Sequence, residues 1–312
     1  TGQACLIDID GLVVPGKHPP TVVGTPDFIA PEVVASSHLG KDDPQRKLPS
    51  RITDLHALAV LIYMYLLYRH PLRDASDSQN DEQLSMGLGA LFIEHPTDIS
   101  NRIKAINVRS SELPWKDTEK IPYTVTGPYL SRLFERAFID GLHQPNLRPT
   151  ADEWEQALVK TVDLLQPCHN SQCEQKWYAF DNSKSPKCPF CGSVHQGKLP
   201  VLNLYSSPRE GSFRSDNHRV MVYSGQSLFK WHANSQVFPN EKLSQADAKR
   251  VGYFVQHQEQ WYLVNEGLPD MVNVLTKEAI GIGNKVALVS GAQILLSRSI
   301  GGRLLMVQMS GS

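Results

Sequence analysis

Gly24-Thr25-Pro26-Asp27-Phe28-Ile29-Ala30-Pro31-Glu32 is a loop running into a helix start. Gly24 and Pro26 punctuate the loop, and a short helix is expected from about Ala30-Pro31-Glu32, because proline is tolerated in a first helical turn and not further in. Upstream, Ala4-Cys5-Leu6-Ile7 has a buried-strand pattern that follows Thr1-Gly2-Gln3 directly, with no signal peptide and no start signal. That opening leads us to expect an excised fragment. Downstream, residues 36–50 form a polar loop with Lys41, Asp42, Asp43 and Pro44. Residues 53–68 then predict a helix that Thr53 or Asp54 can cap, with apolar residues on nearly every face, as in a buried central helix. Further helical patterns occupy roughly 81–94, 97–107, 128–139 and 150–165, so the chain up to about Leu165 is expected to be mainly α-helical.

Two changes of texture follow. From Pro167, residues 168–199 are polar and rich in Cys, Ser, Asn, Lys and Gly, too poor in apolar residues to hold a core without a staple. From about Val201 short runs alternate: Val220-Met221-Val222-Tyr223, Tyr253-Phe254-Val255, Trp261-Tyr262-Leu263-Val264, Lys285-Val286-Ala287-Leu288, Gln293-Ile294-Leu295-Leu296 and Leu304-Leu305-Met306-Val307. Short strands separated by Gly, Pro, Asn and Ser predict an antiparallel sandwich or barrel. We therefore expect three domains, at 1–166, 167–199 and 200–312.

Bulk properties narrow the function classes. The 312 residues are 41% hydrophobic and 20% charged, as in a soluble globular chain. Thirty-one basic residues against 32 acidic give a net charge of -1, which provides no field to attract nucleic acid or an anionic membrane. The longest apolar stretch, Leu55 to Tyr68, includes His56 and falls short of the roughly 20 residues a bilayer span needs.

Four of the five cysteines lie between Cys168 and Cys191. A disulfide framework would spread them along the chain; clustering points to a metal in a reducing, cytoplasmic setting. Cys168-x4-Cys173 and Cys188-x2-Cys191 form two chelating pairs, and Pro189-Phe190 followed by Gly192 suits a zinc-knuckle turn. Four thiolates make a closed, tetrahedral structural zinc site. Trp177-Tyr178-Ala179-Phe180 is expected to supply the strand and small core of this ribbon, and His169 or His195 could replace one cysteine.

Four pieces in order over about 150 residues resemble the protein kinase family: Leu6-Ile7-Asp8-Ile9-Asp10-Gly11, the Gly24–Glu32 stretch with its Ala-Pro-Glu, Asp54-Leu55-His56-Ala57-Leu58-Ala59-Val60 ending in Arg69-His70-Pro71-Leu72, and Asn146-Leu147-Arg148-Pro149-Thr150-Ala151-Asp152-Glu153. The resemblance implies a mainly α-helical kinase C-lobe. Asp8 would be the ligand of the Mg2+ that bridges the ATP phosphates. Thr25, or Thr21, would lie where activation-segment phosphorylation or substrate contact occurs. Glu32 and Arg148 would form a buried ion pair, and Asp54 would accept hydrogen bonds from the catalytic-loop backbone. Ile9 and Asp10 replace the usual Phe and Gly, as in a bacterial subgroup with an Asp-x-Asp triplet. No Gly-rich loop, ATP-binding lysine or His-Arg-Asp loop precedes Asp8, so the fragment alone is expected not to transfer phosphate.

From Val220 onward the chain resembles a forkhead-associated (FHA) domain, an all-β sandwich. Gly225-Gln226-Ser227-Leu228-Phe229-Lys230-Trp231 stands at that family's Gly-Arg turn, Ala246 to Phe254 at its Ser-Arg-x-His strand, and Val289-Ser290-Gly291-Ala292-Gln293-Ile294 at its late turn and strand. The phosphothreonine-binding signatures are absent; Lys230, Lys249 and Arg250 are cations nearby. This implies a degenerate domain that binds protein without phosphate dependence.

Kinase segment, zinc ribbon and FHA-like tail together resemble the bacterial kinases of tellurite resistance and stress response. Those kinases work with a von Willebrand factor A domain protein and a PP2C-type phosphatase. The resemblance implies that the fragment docks the von Willebrand factor A protein, with neither nucleic acid nor membrane as a partner. Two alternatives stay open: a pseudokinase scaffold, supported by Asp10 in place of Gly, and a zinc ribbon that binds nucleic acid through residues such as Lys176, Lys184, Lys187 and Lys198.

Overall fold

The computed structural model describes residues 24–72, 92, 121–180, 186–209, 211–240 and 242–310. The chain divides into two compact units, Thr1–Ala157 and Leu158–Ser312.

In the first unit, Pro31 opens the short helix α1 (Pro31–Ala35), with Glu32 in its first turn. Helix α2 spans Arg51–Leu67 and stops at Tyr68, which takes the left-handed conformation at φ 56°. It begins two residues before the expected start because the Thr53 hydroxyl turns back to accept the Ser50 backbone N–H at 2.7 Å, leaving Ser50 as the cap. Helix α3 covers Pro128–Glu135 and continues as a π turn, Arg136–Asp140; helix α4 covers Ala151–Val162.

Helix α2 buries Thr53, His56, Ala59, Val60, Tyr63 and Leu67, a stripe at helical spacing. Its opposite face leaves Leu61 53%, Tyr65 80% and Tyr68 63% exposed, so it is buried on one side and not all round. The core beneath it is aromatic. Tyr63 meets Phe92, Phe134 and Phe138 edge-on, with ring centroids 5.9, 5.0 and 5.9 Å away, and Trp154 of α4 packs on Phe134.

The second unit is built from strands. β1 (Leu165–Pro167) pairs antiparallel with β2 (Trp177–Ala179). Ten more strands follow: β3 (Pro200–Arg209), β4 (Ser212–Met221), β5 (Ser227–Phe229), β6 (Arg250–His257), β7 (Gln260–Asn265), β8 (Val272–Asn273), β9 (Glu278–Ala279), β10 (Lys285–Ala287), β11 (Gln293–Leu295) and β12 (Arg303–Met309). They form a four-stranded sheet, β10-β7-β6-β5, and a six-stranded sheet, β4-β3-β12-β11-β8-β9, with a short helix α5 (Lys230–Ala233) after β5. Alternate residues of both sheets meet in one core, including Leu202 and Leu204 from β3, Phe254 from β6, Leu263 from β7, Ile294 from β11 and Leu305 from β12. Asn265 ends β7 with no exposure, and its amide is fully engaged. It donates to the carbonyls of Leu268 and Ile280 at 2.8 and 2.7 Å and accepts the Leu268 N–H at 2.8 Å.

The expected mainly α-helical kinase C-lobe is corrected by these findings. Among the described residues the helices are few, strand residues are as numerous as helical ones, and three antiparallel sheets carry most of the pairing. Apolar periodicity marks segments that could form a helix locally, but it does not count how many helices pack together. The segment expected as a helix to residue 165 ends at Val162, and Leu165–Pro167 is a strand instead. The helices expected at 81–94 and 97–107 lie outside the described residues apart from Phe92, as do the Asp8-Ile9-Asp10 triplet and Thr21.

Candidate functional site

Three constellations in the described residues have built geometry, one in the first unit and two in the second.

The first centres on Arg148, which is 3% exposed. Its Nη1 and Nη2 donate to Oε1 and Oε2 of Glu32 at 2.8 and 2.7 Å. The remaining N–H groups reach three carbonyls: Gly141 from Nε at 3.0 Å, Ile52 from Nη1 at 3.1 Å and Leu142 from Nη2 at 3.1 Å. All five guanidinium donors are therefore used, which is what a buried arginine requires. Gly141 makes the approach feasible, because a Cβ there would meet Arg148 Cγ and the Arg136 carbonyl at 2.9 Å. The structure thus brings together Glu32 and Arg148.

A second anchor on the same stretch went unnoticed in the sequence. His70 Nδ1 accepts the Leu72 N–H at 3.1 Å, so the proton sits on Nε2, which donates to the Asp27 carbonyl at 2.9 Å. His56 faces the edge of Phe138, with ring centroids 6.4 Å apart, and neither ring nitrogen has a hydrogen-bond partner among the described residues. Burial, and then the charge of Arg148, push its pKa down to about 3. It is a neutral core histidine.

Thr25 is exposed, immediately before a short 3-10 turn, Pro26–Phe28. Asp54 is exposed in the first turn of α2, and partial burial raises its pKa. Asp8 lies outside the described residues.

The second constellation is the cysteine cluster. β1 leads into Cys168, whose N–H donates to the Lys176 carbonyl at 2.6 Å; a tight turn then brings Cys173 N–H to the Asn170 carbonyl at 3.0 Å. The other pair sits on a turn closed by a bridge between Lys187 and Val194, in which Gly192 takes φ 75° and donates to the Cys188 carbonyl at 2.9 Å. The four sulfurs lie within 4.8 Å of one another, a group that could hold a metal ion; Cys168 Sγ is 3.5 Å from Cys191 Sγ, and Cys173 Sγ is 3.9 Å from Cys188 Sγ. All four are free thiols. Neither His169 nor His195 belongs to the group; their rings face one another on the exposed side.

Burial, compounded by the neighbouring sulfurs, pushes the Cys168 thiol up to about 12, and burial raises Cys188. The Ser193 backbone N–H leads the groups that hold Cys191 down to about 7. Tyr178, buried between the pairs, is pushed up to about 12 by burial and then by the charges of the cysteines. Four thiolates this close would repel one another; protonation relieves that repulsion, and a cation at their centre would relieve it with all four deprotonated.

Elsewhere in the second unit, Asp163 is a buried carboxylate clamped by two imidazoles, with His218 Nε2 at 2.6 Å from Oδ2 and His232 Nε2 at 3.1 Å from Oδ1. Burial alone would raise its pKa, but the two histidines overcome this and hold it far below the usual carboxylate range. Of the three cations Lys230, Lys249 and Arg250, two are paired. Lys230 Nζ pairs with Asp247 at 2.8 Å, and Arg250 grips Glu266 through Nε and Nη2 at 2.6 and 2.8 Å while lying over the Tyr253 ring.

No protein-family model matches this chain, and comparisons with curated proteins and with solved structures return no match. Among the described residues, no helix is long and apolar enough to cross a membrane.

Proposed function

We propose that this chain is the portion of a Ser/Thr protein-kinase-like signalling protein that carries the activation segment and the partner-docking modules. The observation that carries this reading is the buried, two-pronged contact of Glu32 with Arg148, made across 116 residues between the positions that resemble a kinase's Ala-Pro-Glu and late-loop arginine. That contact fixes one end of the Gly24–Glu32 stretch, and the His70 contact with Asp27 fixes its middle, leaving Thr25 exposed as an activation-segment threonine would be. Mg2+ and ATP belong to the intact kinase, with Asp8 as the metal ligand.

In this reading Cys168, Cys173, Cys188 and Cys191 hold a structural Zn2+. Zinc–sulfur bonds of about 2.3 Å in a tetrahedron set sulfur–sulfur edges of about 3.8 Å. The 3.5 and 3.9 Å separations lie close to that edge, within a group whose sulfurs all lie within 4.8 Å of one another. The donor set is all sulfur, which suits zinc and leaves no open position for a reacting molecule. When bound, the ion supplies a cross-link in place of a core. Free, metal-binding thiols suit a reducing, cytoplasmic setting.

The tail docks a von Willebrand factor A domain protein, in a system completed by a PP2C-type phosphatase. Pairing of Lys230 with Asp247 and of Arg250 with Glu266 supports recognition that does not depend on phosphate, since a phosphate would have to displace a carboxylate at each. The test is titration of a purified von Willebrand factor A protein from the same cell against the whole chain and against a version ending at Ala157. We expect binding by the whole chain only. Binding retained by the shorter version, or absent from both, overturns the assignment.

A further inference from the structure

The four sulfurs are not equivalent. Cys173 and Cys188 are 5% and 0% exposed and lie in the interior of the module, whereas Cys168 is half-buried and Cys191 exposed. The two accessible sulfurs are also the closer pair, at 3.5 Å against 3.9 Å for the buried two. They come from different chelating turns, Cys168 from the turn after β1 and Cys191 from the turn after Lys187, so a bond between them would span both halves of the module. On the exposed edge of the cage, then, two nucleophilic atoms adjoin each other and face solvent.

We propose that Cys168 and Cys191 form an oxidative modification site, at which a hydroperoxide converts the exposed edge of the zinc cage into a disulfide and releases the ion. The inference rests on the zinc reading above.

The chemistry balances in two steps. Cys191 thiolate attacks one oxygen of hydrogen peroxide, the O–O bond breaks, and sulfenic acid and hydroxide form. Cys168 thiolate then attacks the Cys191 sulfur, the S–O bond breaks, and a second hydroxide leaves as the S–S bond forms. The two sulfurs have given up two electrons and the peroxide has been reduced. With Cys168 and Cys191 joined, only Cys173 and Cys188 would remain to hold zinc, too few donors to retain it. A thiol reductant reverses the disulfide and restores the site. The module has only a small core, with Tyr178 and Phe180 buried, so its order follows the state of this one edge. The buried pair is shielded from peroxide, and its wider separation makes it the slower partner for any exchange.

The experiment uses the full chain. Metal content is measured first, hydrogen peroxide is then added, zinc release is followed with a chromogenic chelator, and disulfides are mapped by mass spectrometry without reduction. We expect zinc release to run in step with a Cys168–Cys191 disulfide and to reverse with dithiothreitol and added zinc. Cys191→His keeps a zinc-binding side chain that peroxide does not couple to a thiol, and should slow release by about tenfold or more. Cys5→Ser, at the one cysteine outside the cluster, should release zinc at the rate of the unmodified chain and still give the Cys168–Cys191 bond. Zinc lost without that disulfide, a Cys173–Cys188 bond in its place, or no protection from Cys191→His overturns the proposal while leaving the zinc site standing. A chain that binds no zinc before peroxide is added overturns the zinc reading itself, and this inference with it.

Discussion

Arg148 Nη1 and Nη2 donate in parallel to the two carboxylate oxygens of Glu32, at 2.8 and 2.7 Å, with the guanidinium side chain 1% exposed and the carboxylate side chain 22%. Because the arginine has also given up water for three carbonyls, neither partner can be removed without leaving a buried group uncompensated.

That geometry sets the first expected outcome. Glu32→Gln or Arg148→Met should each cost about 3–5 kcal/mol of stability, as for other buried pairs broken on one side. The double replacement Glu32→Leu with Arg148→Met should cost less than the two single losses added together. Urea unfolding of all four proteins measures the coupling; additive losses would mean that the pair is not linked.

His56 gives a pH dependence whose sign is fixed. Its folded pKa is about 3 against the ordinary 6.5, so between those values the unfolded chain binds a proton that the folded chain rejects. The histidine therefore lowers stability as pH falls through 6.5 toward 3 and has no effect above that window. The slope is at most about 1.4 kcal/mol per pH unit for one proton. His56→Leu should lose less stability than the parent chain between pH 7.5 and pH 5, read by urea midpoints at each. An unchanged loss on acidification would place His56 in contact with water.

The Asp163 clamp should respond to mutation more than to mild acid. Replacing the carboxylate by an amide, Asp163→Asn, sets an N–H against one of two imidazole N–H groups, and should cost about 3 kcal/mol. Because the folded pKa lies below the unfolded value, the carboxylate's contribution is present above that unfolded value, near 4, and is lost as pH falls below it. His218, whose pKa burial lowers, adds a loss that sets in as pH drops below about 6.5. Thermal unfolding of Asp163→Asn at neutral pH is the direct check, and a shift within error would show the clamp to be dispensable.

Purified chain should contain close to one zinc ion by elemental analysis. Cys188→Ser, at a fully buried ligand, should lose that zinc and loosen the module, seen as faster amide exchange and proteolysis within residues 168–199. Zinc retained at full content by Cys188→Ser would exclude that sulfur as a ligand.

What could be read from residues alone was whatever depends on spacing. Two short cysteine pairs in a polar segment already point to a sulfur cluster that could hold a metal ion, because two close spacings and a nearby turn suffice to gather the four side chains. The runs around Tyr253-Phe254-Val255, Trp261 to Val264 and Leu304 to Val307 lie in β6, β7 and β12, since a strand buried on one face alternates in its own sequence. Of β4, Ser212–Met221, only the end at Val220-Met221 was legible, because the rest is polar and mostly exposed, and the two-residue strands β8 and β9 are too short to carry a period.

Other features belong to the tertiary structure. How far α2 is buried, and hence the correction to a mainly α-helical lobe, depends on what packs against each face, and an apolar helix has the same sequence whether one side is covered or all of them. The His70 anchor and the Asp163 clamp join residues 43, 55 and 69 positions apart, and no local pattern distinguishes those histidines from the others. Sequence fixes which groups can donate, accept or ligate; only the folded chain decides which of them meet, because burial and long-range pairing are properties of the packed whole.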